Sequence, residues 1–412
     1  MSERAKQAWW REVDSNAWRA LAASGTGWML DAMDVMLYVM AIDAIGVEFN
    51  LSKAESGLVA SATLFASAFG GVVSGVFADR FGRVRMLMIS MLIYSLFTGL
   101  TATAQSFGQL IFWRALVGLG MGGEWSAGAV LVAESWPAQH RGKAIGLMQS
   151  GWAIGYILAA LLAATILPTL GWRAMFLVGV APALLTVWIR RHVPEPQVWK
   201  QANDAQSSAT GRWSQLFKPP LLSRMIIATI TTATLLFAYW GLFTWVPNYL
   251  ASSDEGGAGL GVVKSAAWII PMQIGAFFGY VSFGFFSDRF GRKPTFIAFV
   301  LGAALIVPIY GFSARDQLTL MLLGPLVGFL GHGYFSLFGA LLAELFPSAV
   351  RGTAQGFCYN IGRAASALAP WIVGGIAEAR GFGYALSLTA LFFVIGAGLV
   401  LLLPETRGKA ID

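Results

Sequence analysis

Five ionisable side chains stand where the sequence is otherwise apolar. Asp31 and Asp34 interrupt one long hydrophobic run, Arg114 and Glu124 a second, and Arg363 a third. Burying a charge at the centre of such a run costs about 3 kcal/mol, so each marks a partner, a water-filled cavity or a function. Asp31 and Asp34 lie one turn apart and share a helix face. Two adjoining carboxylates in low dielectric cannot easily both ionise, which is the property a proton-carrying site requires. Arg114 lies at the depth of Asp34 if its run crosses in the opposite sense; their ion pair can form in one state and yield to proton plus anion in another. Glu124 is turned by about 80° from Arg114 on the same helix. It is either a second proton carrier, beside the aspartate pair, or an alternative partner for Arg114. Arg363 offers a guanidinium suited to bidentate capture of a carboxylate, with a structural ion pair between helices as the competing reading.

Gln149, Trp152, Tyr239, Gln355, Tyr359 and Asn360 are candidates to line a substrate cavity with Arg114 and Arg363, although such polar groups also bond helix to helix. His332, between Gly331 and Gly333, suits either titration or packing. Other chemistries are excluded by what is missing. His140, His192 and His332 are far apart, and Cys358 is the single cysteine; no metal site, disulfide or redox cofactor is expected. Gly118-x-Gly120-x-x-Gly123 matches a dinucleotide fingerprint by letter but lies inside an apolar run, where glycines serve close helix approach. No nucleophile with a base, metal cluster or Walker loop is present, so neither an enzyme nor an ATP-driven pump is indicated.

The elements that must position these residues are membrane helices. The chain has 412 residues, 57% hydrophobic and 12% charged, with a mean hydropathy of +0.65, too apolar for a water-soluble core. Twelve runs of about 20 residues suit a bilayer. They begin near Ala17, Ala54, Arg85, Phe107, Gly142, Trp172, Arg224, Lys264, Pro294, Asp316, Arg351 and Phe382. With the N-terminus cytoplasmic, 21 of the 28 Lys and Arg fall on inner segments and 5 on outer loops, Arg114 and Arg363 being within spans. That asymmetry orients the chain with both termini inside. The net charge of +7 is thereby a membrane signature with no nucleic-acid partner implied. Residues 1–190 and 224–412 are expected to form two six-span bundles, joined by a Gln-, Ser- and Ala-rich cytoplasmic linker over 191–223.

An internal repeat supports that division. Gly75-x-x-x-Asp79-Arg80-Phe81-Gly82-Arg83 recurs as Gly284-x-x-x-Asp288-Arg289-Phe290-Gly291-Arg292; Glu134, Pro137 and Arg141 recur as Glu344, Pro347 and Arg351; Pro194-Glu195 recurs as Pro404-Glu405. Asp79, Arg80, Arg83, Glu134, Arg141, Asp288, Arg289, Arg292, Glu344 and Arg351 therefore form candidate gates, with ion pairs that hold one side shut and break on opening. These motifs resemble the signature of the major facilitator superfamily along essentially the whole chain. Asn16-Ala-Trp-Arg19, Gly27-Trp28 through Asp34, Arg114 to Glu124, Glu134-Ser-Trp-Pro137, Gly171-Trp172-Arg173 and Pro194-Glu195-Pro196 to Trp199 look like the sialate:proton symporter branch, close to lactate, pyruvate, aromatic-acid and metabolite:proton symporters. Pro404-Glu405-Thr406-Arg407-Gly408 also resembles sugar porters.

The resemblance implies an all-α membrane fold of twelve helices in two pseudo-symmetric bundles. It further implies a functional monomer in the bacterial inner membrane, whose partners are lipid, protons and a small organic anion. A sugar or other neutral-metabolite carrier, an uncoupled facilitator and a transport-inactive membrane sensor are the alternatives.

Overall fold

The computed structural model describes residues 13–137, 140–196, 216, 218–253, 256–347 and 351–405. Most of the expected linker lies outside them, as do the side chains of Asp79, Arg141, Asp288, Glu344 and Arg351. Among the described residues the chain is helical, without strands. The N-terminal half comprises α1 (Ser15–Phe49), α2 (Lys53–Phe81), α3 (Arg83–Thr101), α4 (Phe107–Ser135), α5 (Arg141–Thr165), α6 (Leu167–Val178) and α7 (Pro182–His192). The C-terminal half comprises α8 (Leu221–Phe243), α9 (Val246–Ala251), α10 (Gly261–Phe290), α11 (Arg292–Phe312), α12 (Gln317–Gly333), α13 (Phe335–Glu344), α14 (Arg351–Ser366), α15 (Ala369–Arg380) and α16 (Phe382–Leu402).

These helices make twelve rods, because α6–α7, α8–α9, α12–α13 and α14–α15 are each one span broken once. Pro168, Pro182, Pro247 and Pro370 each sit in the first turn of the helix that contains them, where the missing N–H is no loss. Pro271, Pro308 and Pro325 lie inside unbroken helices. The sixth rod begins at Leu167, before the expected Trp172, and turns at Gly171 (φ 76°). Among the described residues nine stretches are long and apolar enough to cross a bilayer by length and composition. The remaining rods, α1, α12–α13 and α14–α15, carry the aspartates, His332 and Arg363.

Glycine lets the rods close on one another. A Cβ at Gly118 or Gly122 would strike the backbone oxygens of Thr63 or Ser67 on α2, and one at Gly155 would strike Met29 O on α1. The second half repeats the device, with Gly275 against Pro325 O and Gly328 against Met272 O. Gly118, Gly120 and Gly123 thus serve helix packing, Gly120 against Tyr94 N and Gly123 against Ser74 and Ser90.

The repeated motifs cap helices at one end of the molecule, called here the motif end. Gly82 (φ 111°) and Gly291 (φ 105°) join α2 to α3 and α10 to α11, a backbone region that L side chains rarely adopt. Glu195 accepts hydrogen bonds from Arg83 N (2.8 Å), Val84 N (3.1 Å) and Arg85 N (3.2 Å). Glu405 accepts from Arg292 N (3.1 Å) and Lys293 N (3.0 Å). Each carboxylate satisfies the free amides and positive dipole of a helix N-terminus. The two repeated signatures, distant in sequence, are therefore halves of one structural unit.

Candidate functional site

α1, running from the motif end to the far end, brings Asp31 and Asp34 to mid-length, and both are buried. The two face different surroundings. Asp34 lies within the N-terminal bundle, where Thr98 Oγ1 on α3 donates to its Oδ1 at 2.5 Å and Arg114 Nη1 on α4 stands 3.5 Å from its Oδ2. Arg114 is only 1% exposed and lies over the rings of Tyr38 and Phe176 at 5.5 and 5.7 Å. Asp31 instead faces the seam between the halves, and its Oδ1 has no hydrogen-bond partner.

A central cavity occupies that seam, enclosing about 490 Å³ of non-atom space, its open mouth included. The N-terminal half supplies Trp28, Asp31, Leu64, Ser67, Met121, Gln149 and Trp152; the C-terminal half supplies Leu236, Tyr239, Trp240, Tyr280, Phe335, Tyr359 and Arg363. Arg363 on α14 is buried, with Nη2 donating to Tyr359 Oη at 3.2 Å and its guanidinium 4.8 Å from the Tyr359 ring. Tyr359 stacks at 4.1 Å on Trp125 of the other half. Trp28, Trp152 and Trp240 form a continuous aromatic wall, with centroids 4.7 and 5.9 Å apart. Among the described residues the indole N–H groups of Trp28 and Trp240 and Arg363 Nε have no partner. An apolar, aromatic box with a few unsatisfied polar atoms and one carboxylate facing one guanidinium is built to hold a small polar ligand.

Of the candidates, Asp31, Gln149, Trp152, Tyr239, Tyr359 and Arg363 meet in this cavity. His332 lies behind it, its ring 5.1 Å from Tyr239 and 4.0 Å from Phe243, with Nδ1 donating to Gly328 O at 3.1 Å. Asn360 donates to Gly356 O at 2.9 Å and lies against Gly71 of α2. Gln355 is half-buried on the same helix, toward the motif end. Arg114 borders a second, smaller cavity with Tyr38, Thr63 and Thr244, separated from the first by Leu64 and Trp240. Glu124, also buried, lines neither cavity. Trp28, Trp240 and Tyr280 also line the cavity without standing among the expected lining residues; Trp28, part of the Gly27 to Asp34 motif and one turn from Asp31, carries the clearest signal.

The two ends of the seam differ. Away from the motifs it is sealed: Lys53 Nζ donates to Asn248 Oδ1 at 3.3 Å, Asn248 donates to Asp43, and Tyr156 Oη donates to Phe243 O at 3.0 Å. Gly57 packs directly on Pro370 and Trp371, and Gly374 on Lys53 O. At the motif end, Gly75, Gly142, Gly284 and Gly356 have open space where a Cβ would stand. Arg83 there pairs with Glu134 at 3.2 Å, while Arg80 and Arg289 lie over the rings of Phe81 and Phe290 at 5.6 and 5.5 Å, as the repeat requires. Arg292 Nη1 donates to Ser287 Oγ at 2.8 Å.

Two repeated bundles around a charged, mid-length cavity define a multi-pass membrane transporter. The chain belongs to the Major Facilitator Superfamily, whose family model matches residues 25–282 and 265–411. It is similar to a Haemophilus influenzae protein assigned to metabolite transport (37% identical, covering 97% of this chain and 99% of the relative). It also resembles the cis,cis-muconate transport protein of Acinetobacter baylyi (33%; 96% of each chain) and the sialic acid transporter NanX of Escherichia coli (29%; 94% of each). These relatives are consistent with a place in the sialate:proton symporter-like branch. Among solved structures, a D-xylose-proton symporter shares the fold at a TM-score of 0.78 and 21% identity, covering 96% of this chain and 100% of that one.

Proposed function

We propose that the protein is a proton-coupled symporter of a small organic-acid anion. It works by alternating access in a bacterial inner membrane, with the motif end and both termini in the cytoplasm. The observation that carries this reading is that Asp31 and Arg363, one from each half, line the same aromatic cavity. The carboxylate of the substrate takes the Arg363 guanidinium, and its body lies against Trp28, Trp152, Trp240 and Tyr359.

Charge balance couples the proton to the anion. Asp31, Asp34 and Glu124 are three buried carboxylates against the two guanidiniums of Arg114 and Arg363. In a low-dielectric interior that set is neutral when one carboxyl holds a proton, and an arriving anion restores the negative excess and draws in another proton. An anion travelling with one proton moves no net charge, so the pH gradient alone drives it. Relatives named for muconate and sialic acid, both carboxylates, support an acid over a neutral substrate. Residues 1–190 and 224–412 are the rocking units, and 191–223 joins them. The contacts of Lys53, Asn248 and Asp43 close the far end in one state of the cycle, the state in which the motif end opens. The Asp-Arg-x-Gly-Arg repeats, with Glu134, Glu344, Arg141 and Arg351, latch the motif end in the opposite state.

The test is uptake of labelled lactate, pyruvate, sialic acid, benzoate and cis,cis-muconate into proteoliposomes under an inward proton gradient. Accumulation of an acid that collapses with a protonophore, with Asp31→Asn and with Arg363→Ala is expected. Protein shown to be folded that concentrates none of these acids, but takes up a sugar, would overturn the reading.

A further inference from the structure

We propose that the proton leaves by its own route through the interior of the N-terminal bundle, with Glu124 as its station, while the organic anion leaves through the seam between the halves. This rests on the symport reading above and adds to it a second path.

Glu124 is 1% exposed, and the Tyr94 hydroxyl of α3 faces its carboxylate as a hydrogen-bond donor. Its neighbours on α4 face the seam: Met121 lines the central cavity and Trp125 stacks on Tyr359. The carboxylate itself points the other way, into the bundle, where Oε1 lies against Gly27 of α1 so closely that a Cβ there would collide. Gly27 precedes Asp31 by one helical turn, about 6 Å. Glu124 therefore sits one step from Asp31 toward the motif end, off the cavity that holds the anion.

Around and beyond it the bundle is lined with hydroxyls. Beyond the Tyr94 hydroxyl, Ser90 Oγ and Ser24 Oγ are buried and without partners among the described residues. Ser90 and Ser74 converge on Gly123, which has no side chain to separate them. The titratable groups facing Glu124 are Asp31 and Asp34 on α1 and Tyr94 on α3. From α2 comes the Ser74 hydroxyl, and from α5 the apolar Met148 beside Gly128. Buried polar groups are nearly always satisfied, and a room of hydroxyls and one carboxylate admits water that can pass a proton. Neither the cavity that holds the anion nor the smaller one beside Arg114 has Glu124 or these hydroxyls in its lining. The Asp31 carboxyl gives its proton to the Glu124 carboxylate, which passes it along the hydroxyls toward Ser74 and so to water at the motif end; no other bond changes.

Separate routes predict separable phenotypes. With the panel acid that the wild type concentrates, we would measure net gradient-driven uptake and, separately, exchange of internal for external acid with no gradient. One pH unit supports about tenfold accumulation per proton. Glu124→Gln should reduce that accumulation to simple equilibration while exchange stays within roughly twofold of wild type. Tyr94→Phe and Ser90→Ala should slow net uptake several-fold and spare exchange. Arg363→Ala should lose both. Loss of exchange in Glu124→Gln would make the residue part of anion binding or of the scaffold, and full accumulation would remove it from the proton path. Either result overturns the proposal, as does accumulation driven by sodium.

A wild type that exchanges acid but ignores the gradient would instead sink symport itself. Infrared difference spectra of the purified full-length protein between acid and alkaline buffer decide independently of substrate. A protonated-carboxyl band lost in Glu124→Gln is expected, and an unchanged spectrum counts against the route.

Discussion

The two halves share a scaffold and differ in chemistry. Both join their second and third rods through a left-handed glycine and both cap the third with a remote glutamate, Glu195 or Glu405. Yet the charged positions are not duplicated. At the repeat offset of 210 residues, Arg114 corresponds to Gly324, Glu124 to Tyr334, and Arg363 to Ala153. α1 has its two central aspartates, whereas α8 has threonines and no acid. The N-terminal half thus concentrates carboxylates around one internal guanidinium. The C-terminal half offers a guanidinium among aromatic rings. Duplication preserved what must move symmetrically, the turns and caps that hold rod to rod, and released the cavity face to specialise. In our reading one half handles the proton and the other the anion.

The largest effect should come from moving charge across that division. Arg363→Ala removes the guanidinium that faces Asp31, and a loss of roughly 100-fold in kcat/KM for an acid substrate is expected, in line with a charge-assisted hydrogen bond. Arg363→Lys keeps the charge but not the fork and should recover part of it. If Arg363→Ala transports the acid normally while Gln149→Ala does not, the assignment of the anion to the C-terminal half fails.

Next in size is the ion pair internal to the N-terminal half. Arg114→Gln leaves Asp34 buried with only Thr98 as a partner, which costs about 3 kcal/mol when one member of a buried pair is deleted. Thermal unfolding in detergent should show the loss. The double variant Arg114→Gln/Asp34→Asn should be more stable than Arg114→Gln alone. Equal stability of the two would mean that Asp34 gains nothing from Arg114 even in the resting fold.

The shared scaffold makes a subtler forecast, because its two copies are not equally tight. A Cβ at Gly82 would collide with the Glu195 carboxylate, whereas at Gly291 the Glu405 carboxylate is 3.4 Å away. Gly82→Ala should therefore destabilise more than Gly291→Ala, each by at least about 1 kcal/mol for the left-handed backbone. Glu195→Gln should likewise cost more at this turn than Glu405→Gln, since Glu195 accepts from three successive amides, Arg83 to Arg85, whereas the third position of the second copy is Pro294, which has no N–H. The reverse ranking would show that the N-terminal turn is the more relaxed of the two.

How much of this was legible beforehand follows the same division. The rods, their duplication and the buried charges are compositional features, visible wherever a run of apolar residues stops or a motif returns. Asp34 opposite Arg114 could be anticipated because both depths follow from helical rise. What could not be read was direction. Asp31 and Asp34 share a face by spacing, but one turns to the seam and the other into the bundle, and only the packing of α1 against α4 and α5 settles that. The Glu195 and Glu405 caps are hidden although both partners of each belong to repeated motifs, because a contact over more than 100 residues leaves no local signature. The mid-span breaks did leave one, in Pro182 and Pro370 at helix starts. Pro271 and Pro308, inside unbroken helices, show why proline alone does not decide.

The smallest expected difference lies at two corresponding caps, Ser106 on α4 and Asp316 on α12. Ser106 Oγ accepts from Gln109 N at 3.3 Å. Asp316 Oδ1 accepts from Leu318 N and Thr319 N, both at 3.1 Å, and its other oxygen accepts from the Thr319 hydroxyl. The Thr319 hydroxyl first, and then its backbone N–H, hold the Asp316 carboxyl below the usual aspartate value of 3.8. A group whose folded value is depressed contributes stability that is complete above the unfolded value and is lost as the pH falls through the folded one. The Asp316 cap should therefore weaken in acid below about 4, while the Ser106 cap, with nothing to titrate there, should not. Asp316→Ser would make the second half resemble the first. Unfolding midpoints measured down the acid range should then lose a small pH-dependent component that the wild type shows and that Ser106→Ala leaves in place. If Ser106→Ala removes it instead, the acid sensitivity belongs to the carboxylates of the N-terminal bundle and not to this cap.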